Sequence, residues 1–171
     1  VRDIWEFVEK IDINDLDLVV KGIEMNKKMA EAGIASEYGK VFSEGKKVEE
    51  MDYKDYAKYL TSIASYARMT GHPLPVMSCA GSGNHGLTAI LPVVAVGEKK
   101  AVNEEKLIRG VALSLLITVY VKSYTGTLTP VCGCGVAAGV GASAGIVYIM
   151  GGSLEQVQGA IKNMIGTIAG I

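Results

Sequence analysis

No run of basic residues interleaved with aromatics occurs in this chain of 171 residues, and its formal net charge is only −1. Counterion release from a phosphate backbone requires clustered Lys and Arg, so the sequence argues against nucleic-acid binding. There is no secretory leader pattern after Val1, which is not a methionine. The cysteines number three, too few for the disulfide framework of a small secreted domain. Together these absences favour a cytoplasmic protein, or a piece of one, whose thiols bind metal or react. Period-two alternation is weak throughout, which argues against strands.

What the sequence does contain is unevenly placed. Residues 1 to 70 hold most of the charge, and after Gly71 the chain is dominated by Gly, Ala, Val, Ile and Leu. Hydrophobic residues make up 49% and charged residues 20%, a globular composition with enough length for one core-bearing domain. "DINDLDLVVKGIEMNKKMAEAG" places Leu16, Val19, Val20, Ile23 and Met29 on one helical face, with Asn14 or Asp15 as cap and Gly33 as terminator. The stretch from Glu37 to Lys47 reads as a loop or short helix. "DYKDYAKYLTSIASYARM" repeats Tyr53, Tyr56, Leu60, Ile63 and Ala67 as a second amphipathic helix, capped by Asp52 and stopped at Gly71.

In the second half, Ser82 caps a helix through "LTAILPVVAVG", which Pro92 kinks or brings to its last turn. Asn103 caps "NEEKLIRGVALSLLITVYVKS", apolar nearly all round and expected to be a central buried helix. Ser153 and Gln156 have capping-box spacing before a last helix. Residues 131–152 carry no charge and have the length of a membrane span. They lack flanking Lys or Arg, and their small residues suit a helix pressed against neighbours, so we read no membrane span and an all-α protein.

Three features carry chemistry. "SCAGSGNHG", residues 78–86, packs three glycines, two serines, an amide and an imidazole into nine positions. Glycines allow close backbone approach, and the helix start after Ser82 offers free N–H groups to a carboxylate or phosphate. Asn84 donates and accepts, and His85 is a candidate proton carrier. The bland alternative is a helix cap with a structural histidine. Second, Cys132-Gly133-Cys134 opens a glycine-rich helix, whose N-terminus favours thiolate; buried inert cysteines would look the same. Ser123, Tyr124, Thr125 and Thr127 add hydroxyls upstream that could line the same pocket. Third, Arg68 could grip a carboxylate, although a solvated helix-end arginine is the simpler reading, and His72 before Pro73 reads as a turn residue.

"ARMTGHPLPVMSCAGSGNHGLTAILPV", "YTGTLTPVCGCGVAAGVGASAGIVYIMGG" and "IKNMIGTIAGI", in that order, resemble the α-chain of iron–sulfur L-serine dehydratases, and within it the L-cysteine desulfidase-like branch. The resemblance covers about residues 15 to 171. It implies a [4Fe–4S] cluster held by three cysteines, and elimination from L-cysteine or L-serine to give pyruvate without pyridoxal phosphate. It implies that Ser82, Gly83, Asn84, His85 and Gly86, with Thr127, hold the amino-acid substrate, and that Cys132 is an iron ligand, Cys134 being the alternative. The family's other ligand cysteines lie in a segment following "GTIAG", where this chain stops, and in a region before Val1. The chain therefore resembles an internal portion of a longer protein, unable to complete a cluster or act alone. Two other readings compete. "SGNHG" also resembles the asparagine loop of pyridoxal-phosphate dehydratases, for which Lys54 or Lys58 would have to serve as the Schiff-base lysine. A non-enzymatic helical interaction module, for instance a homodimer, is the other.

Overall fold

The computed structural model describes residues 1–126 and 131–168, and among them every regular element is helical. The order is α1 (Arg2–Lys10), a 3-10 turn (Ile13–Leu16), α2 (Asp17–Ala35), α3 (Gly39–Phe42), α4 (Tyr53–Met69), α5 (Gly83–Lys99), α6 (Glu104–Thr125), a π-helical segment (Cys134–Gly139), α7 (Val140–Ile149) and α8 (Leu154–Ile168). A further 3-10 turn, Val48–Glu50, precedes α4. The all-α expectation holds.

Local signals place most helix starts. Asp52 accepts from the Lys54 and Asp55 amides, Asn103 accepts from Lys106 N at 2.8 Å, and Ser153 and Gln156 close their capping box at 2.8 and 3.3 Å. One cap differs from expectation. Asp12, not Asn14 or Asp15, accepts from Asn14 N at 2.9 Å and starts the 3-10 turn that leads into α2. That helix passes Gly33 and ends at Ala35, because Gly33 is needed for packing: an added Cβ would meet the Ile63 carbonyl oxygen at 2.7 Å.

The most enclosed helix is α5, and α6, read as a central buried helix, packs its buried face against it. Nearly every side chain of α5 from His85 to Val96 is buried, and Pro92 lies inside it without ending it at that turn. On one side α5 meets α2 and α4, through Met29, Ala30, Leu60, Ala64, Ala67, Leu87, Leu91 and Ala95. On the other, Ile90, Val93 and Val94 join Val111, Leu113 and Ile117 of α6 and the buried face of α7. The charged and glycine-rich halves of the sequence thus share one helix. On α4 the fully enclosed tyrosine is Tyr59, whose hydroxyl donates to Gly39 O at 3.2 Å, whereas Tyr53 and Tyr56 stay half-exposed.

The uncharged stretch after Cys134 owes its composition to α6. Gly110, Ser114 and Thr118 of α6 face Gly141 and Gly145 of α7. A Cβ on Gly145 would stand 2.6 Å from Gly110 O, and one on Gly141 would run into Thr118 Oγ1 and Ser114 O. The two backbones touch where any side chain would hold them apart. The seam is locked on its far side by Ser114 Oγ, which donates to Ala89 O of α5 at 2.6 Å. Among the described residues one helix, Glu104–Thr125, is long and apolar enough to cross a membrane, and half of that window is buried against its neighbours.

Candidate functional site

The motif 78–86 is built on a tight turn. Cys79 and Ser82 exchange both backbone hydrogen bonds, at 3.0 and 3.1 Å, and the two residues between them, Ala80 and Gly81, have φ of +48° and +80°. Positive φ at both central positions marks the type I′ family, which suits Gly81 and strains Ala80. The turn delivers Ser82 to the start of α5, where its Oγ accepts from His85 N at 3.4 Å. The amides of Gly83 and Asn84 are first-turn donors that no intrahelical carbonyl can reach. Gly86 permits the approach of the preceding strand of chain, since a Cβ there would run into the Met77 carbonyl oxygen. That segment is tied down in turn by α2: Asn26, fully buried, accepts from Met77 N at 2.9 Å.

His85 points inward from this helix start and is only 8% exposed. Its ring meets the second motif. A Cβ on Gly133 would collide with His85 Nε2 and stand 2.6 Å from Cε1, so the imidazole rests on the α-carbon between Cys132 and Cys134. Burial lowers the imidazole pKa from 6.5, the nearby charge of Lys122 lowers it further, and the Cys79 backbone opposes the fall. His85 is therefore neutral at pH 7. Its Nδ1 is buried without a hydrogen-bond partner of good geometry among the described residues. Lys122 itself is buried on α6. No local pattern singles it out, because an alkyl-ammonium side chain near a helix C-terminus is ordinary.

The thiols differ sharply. Cys132 is exposed, and the Gly135 and Cys134 amides hold its thiol below the ordinary range, as the start of a helical turn should. Cys134 is half-buried, and burial pushes its thiol up although a hydrogen bond with Thr88 opposes this. Cys79 is buried, raised to about 11 by desolvation, and directs Sγ at Leu115 O, 3.8 Å away. Among the described residues no three His, Cys, Asp or Glu side chains converge as a metal site.

The expected site residues thus fall as follows. Ser82, Gly83, Asn84, His85 and Gly86 form one helix start, and Cys132 and Cys134 flank the glycine on which His85 rests. Thr127 lies outside the described residues. Tyr124 and Thr125 line a separate apolar groove of about 330 Å³ with Val1, Tyr120 and Ile165. Ser123 Oγ donates to Tyr120 O at 2.6 Å. His72 is the exposed turn residue expected, its amide donating to Ala67 O at 3.1 Å. Arg68 departs from expectation: it is half-buried, and its Nη1 donates to Asn84 Oδ1 at 3.1 Å. The pyridoxal-phosphate reading loses its footing. The described residues form helices without the strand–helix alternation that fold needs, and Lys58 is exposed beside Asp55, 3.9 Å away.

The family model for the serine dehydratase alpha chain matches residues 3–171. A UPF0597 protein of Clostridium tetani is 58% identical over the whole chain, which covers 40% of that protein. One of Caldanaerobacter subterraneus subsp. tengcongensis is 49% identical over the whole chain and 40% of its own length. One of Clostridioides difficile is 46% identical over the whole chain and 42% of its own length. This chain therefore spans about two fifths of these curated relatives, whose names state no activity. No solved structure matches. Because that family model matches the chain over nearly all its length, the chain belongs to the serine dehydratase alpha chain family.

Proposed function

We propose that this chain is part of an iron–sulfur-dependent lyase of the L-cysteine desulfidase-like branch, which takes L-cysteine or L-serine to pyruvate and ammonia with loss of sulfide or water. The observation that carries the reading is the seating of the His85 imidazole on Gly133, which joins the substrate motif and the cysteine motif into one site.

The donor set decides how a cluster would sit. Cys132, exposed and with a lowered thiol pKa, suits a thiolate ligand to iron; Cys134, half-buried and raised, suits it less; Cys79 faces away towards Leu115. The described residues therefore offer one ligand position rather than a full set, and the remaining ligands belong to other parts of the longer protein. When bound, the cluster supplies an open iron as Lewis acid for the leaving thiolate or hydroxyl. This chain's residues do the rest. The Gly83 and Asn84 amides receive the substrate carboxylate at the positive end of α5. His85, neutral and screened from water, is a base able to accept a proton at the imidazole edge that faces Gly133. Burial first, and the charge of Lys122 second, keep that imidazole unprotonated.

The test uses the full-length protein, reconstituted with iron and sulfide without oxygen, and follows pyruvate from L-cysteine and from L-serine. Pyruvate that requires iron, disappears on exposure to oxygen and ignores added pyridoxal phosphate supports the reading. Pyruvate that requires pyridoxal phosphate, or none at all, overturns it.

A further inference from the structure

Arg68 occupies the last turn of α4, where a basic side chain ordinarily extends into water and complements the helix dipole. Here it crosses to α5 instead. A Cβ on Gly83 would stand 2.5 Å from Arg68 Nε and 3.0 Å from Cζ, so the guanidinium lies over the Gly83 α-carbon. Glycine at this position is what lets the arginine lie there. Nη1 donates to Asn84 Oδ1 at 3.1 Å, and the Asn84 amide nitrogen is 3.3 Å from Met69 Sδ, so the asparagine is held between neighbouring α4 side chains.

The charge on this group is not balanced locally. Among the described residues no carboxylate lies within ion-pair distance of Arg68, whereas Arg109, the other partly buried arginine, has Glu105 at 2.9 Å. A guanidinium carries five N–H donors in a planar fork; Nη1 is engaged by the asparagine oxygen and, at 3.6 Å, by Met69 Sδ. Beside it stand the first-turn amides of α5, which no intrahelical carbonyl reaches. The guanidinium and these amides are all donors, and an anion is the acceptor that suits them.

We propose that Arg68 is the residue that recognises the α-carboxylate of the substrate: steered by Asn84 across Gly83, its guanidinium clamps the carboxylate against the first-turn amides of α5. The assignment rests on reading the site as an amino-acid lyase. It makes Arg68 a specificity residue that distinguishes a free amino acid from its amide, because the amide offers one oxygen and no charge to a fork built for two oxygens.

The experiment uses the full-length protein and two ligands, L-alanine, which has no leaving group, and L-alaninamide, which has no carboxylate. Binding is measured by calorimetry for the wild type, Arg68→Met and Arg68→Lys, and KM and kcat are measured with L-cysteine. Circular dichroism confirms that each variant is folded. The expected result is that Arg68→Met weakens L-alanine binding about 10- to 100-fold and leaves L-alaninamide unchanged. KM for L-cysteine should rise more than kcat falls, and Arg68→Lys should recover part of the loss. Unchanged L-alanine binding in Arg68→Met overturns the proposal, as does equal weakening of both ligands, which would mark a structural role. The two readings separate cleanly. Wild-type protein that forms no pyruvate but binds L-alanine through Arg68 defeats the lyase and keeps the carboxylate site. Pyruvate formation with a KM indifferent to Arg68 keeps the lyase and defeats the clamp.

Discussion

The imidazole of His85 rests on the α-carbon of Gly133, with Nε2 and Cε1 its nearest atoms. A methyl group at Gly133 would force the ring off this seat, while neighbouring contacts at the exposed helix start can relax. Gly133→Ala should therefore lower kcat/KM for pyruvate formation by the full-length protein about 10- to 100-fold, since displacements near 1 Å have that effect on positioned groups. Its unfolding free energy should change much less. Steady-state kinetics and urea denaturation on the same preparation check both halves.

Gly86→Ala should behave in the opposite way. Helix propensity alone would favour alanine by about 1 kcal/mol. The added Cβ, however, would meet the Met77 carbonyl oxygen, a backbone atom fixed through Asn26. The steric term wins, and a loss of about 2–3 kcal/mol is expected in denaturant unfolding. A gain in stability would show that the Met77 segment yields.

Protonation of His85 should couple to folding. Its folded-state pKa lies below 6.5, through burial first and Lys122 second. Above that value the ring is neutral in both states and contributes no pH dependence. As pH falls through 6.5 the unfolded chain takes the proton first, so stability declines towards lower pH. His85→Gln should flatten this acid limb in melting curves taken between about pH 7.5 and 5. Lys122→Met should move the His85 titration, followed by NMR, up towards the ordinary value. An unmoved titration would remove Lys122 from the account.

Thiol labelling should follow the order Cys132, then Cys134, then Cys79. The exposed Cys132 is stabilised as thiolate by backbone amides, while Cys79 is buried and raised to about 11. Mass spectrometry after brief iodoacetamide treatment of the native apoprotein reads the order directly, and early modification of Cys79 would contradict it.

Ser82→Ala and Asn103→Ala each remove a helix cap and should each cost about 1 kcal/mol. Ser82 lies in the Gly-Ser-Asn-His motif at the start of α5 and Asn103 starts α6, in another part of the molecule. Comparable stability losses with pyruvate formation impaired only in the Ser82 variant would separate capping from function.

Much of this was legible in the chain. The caps Asp52, Ser82, Asn103 and Ser153 act within four residues, so sequence spacing reveals them. The dense Gly-Ser-Asn-His stretch announced a helix start for the same reason. What stayed hidden depends on contacts between residues far apart in the chain. Arg68 meets Asn84 because α4 packs on α5, and no local rule distinguishes it from a solvated arginine. The fuller enclosure of α5 than of α6 has a similar origin. Both are apolar, and which one is the more enclosed depends on how many neighbours surround it. Asp12 displaced Asn14 and Asp15 as cap because the chain enters α2 through a 3-10 turn, which shifts the start by one turn.

The seam of Gly110, Ser114 and Thr118 against Gly141 and Gly145 has a mechanical consequence. From Gly135 to Gly145 the chain is built from glycine, alanine, valine and one serine. Such side chains have few rotamers to exchange, so little in this stretch can yield to a push by repacking locally. A shift applied to α7 must move it as a rod along α6, carrying the π-helical segment and Cys134 with it. The spacing between His85 and the cysteine segment is thereby coupled to the register of two backbones in contact, and a perturbation far down α7 reaches the site as a translation.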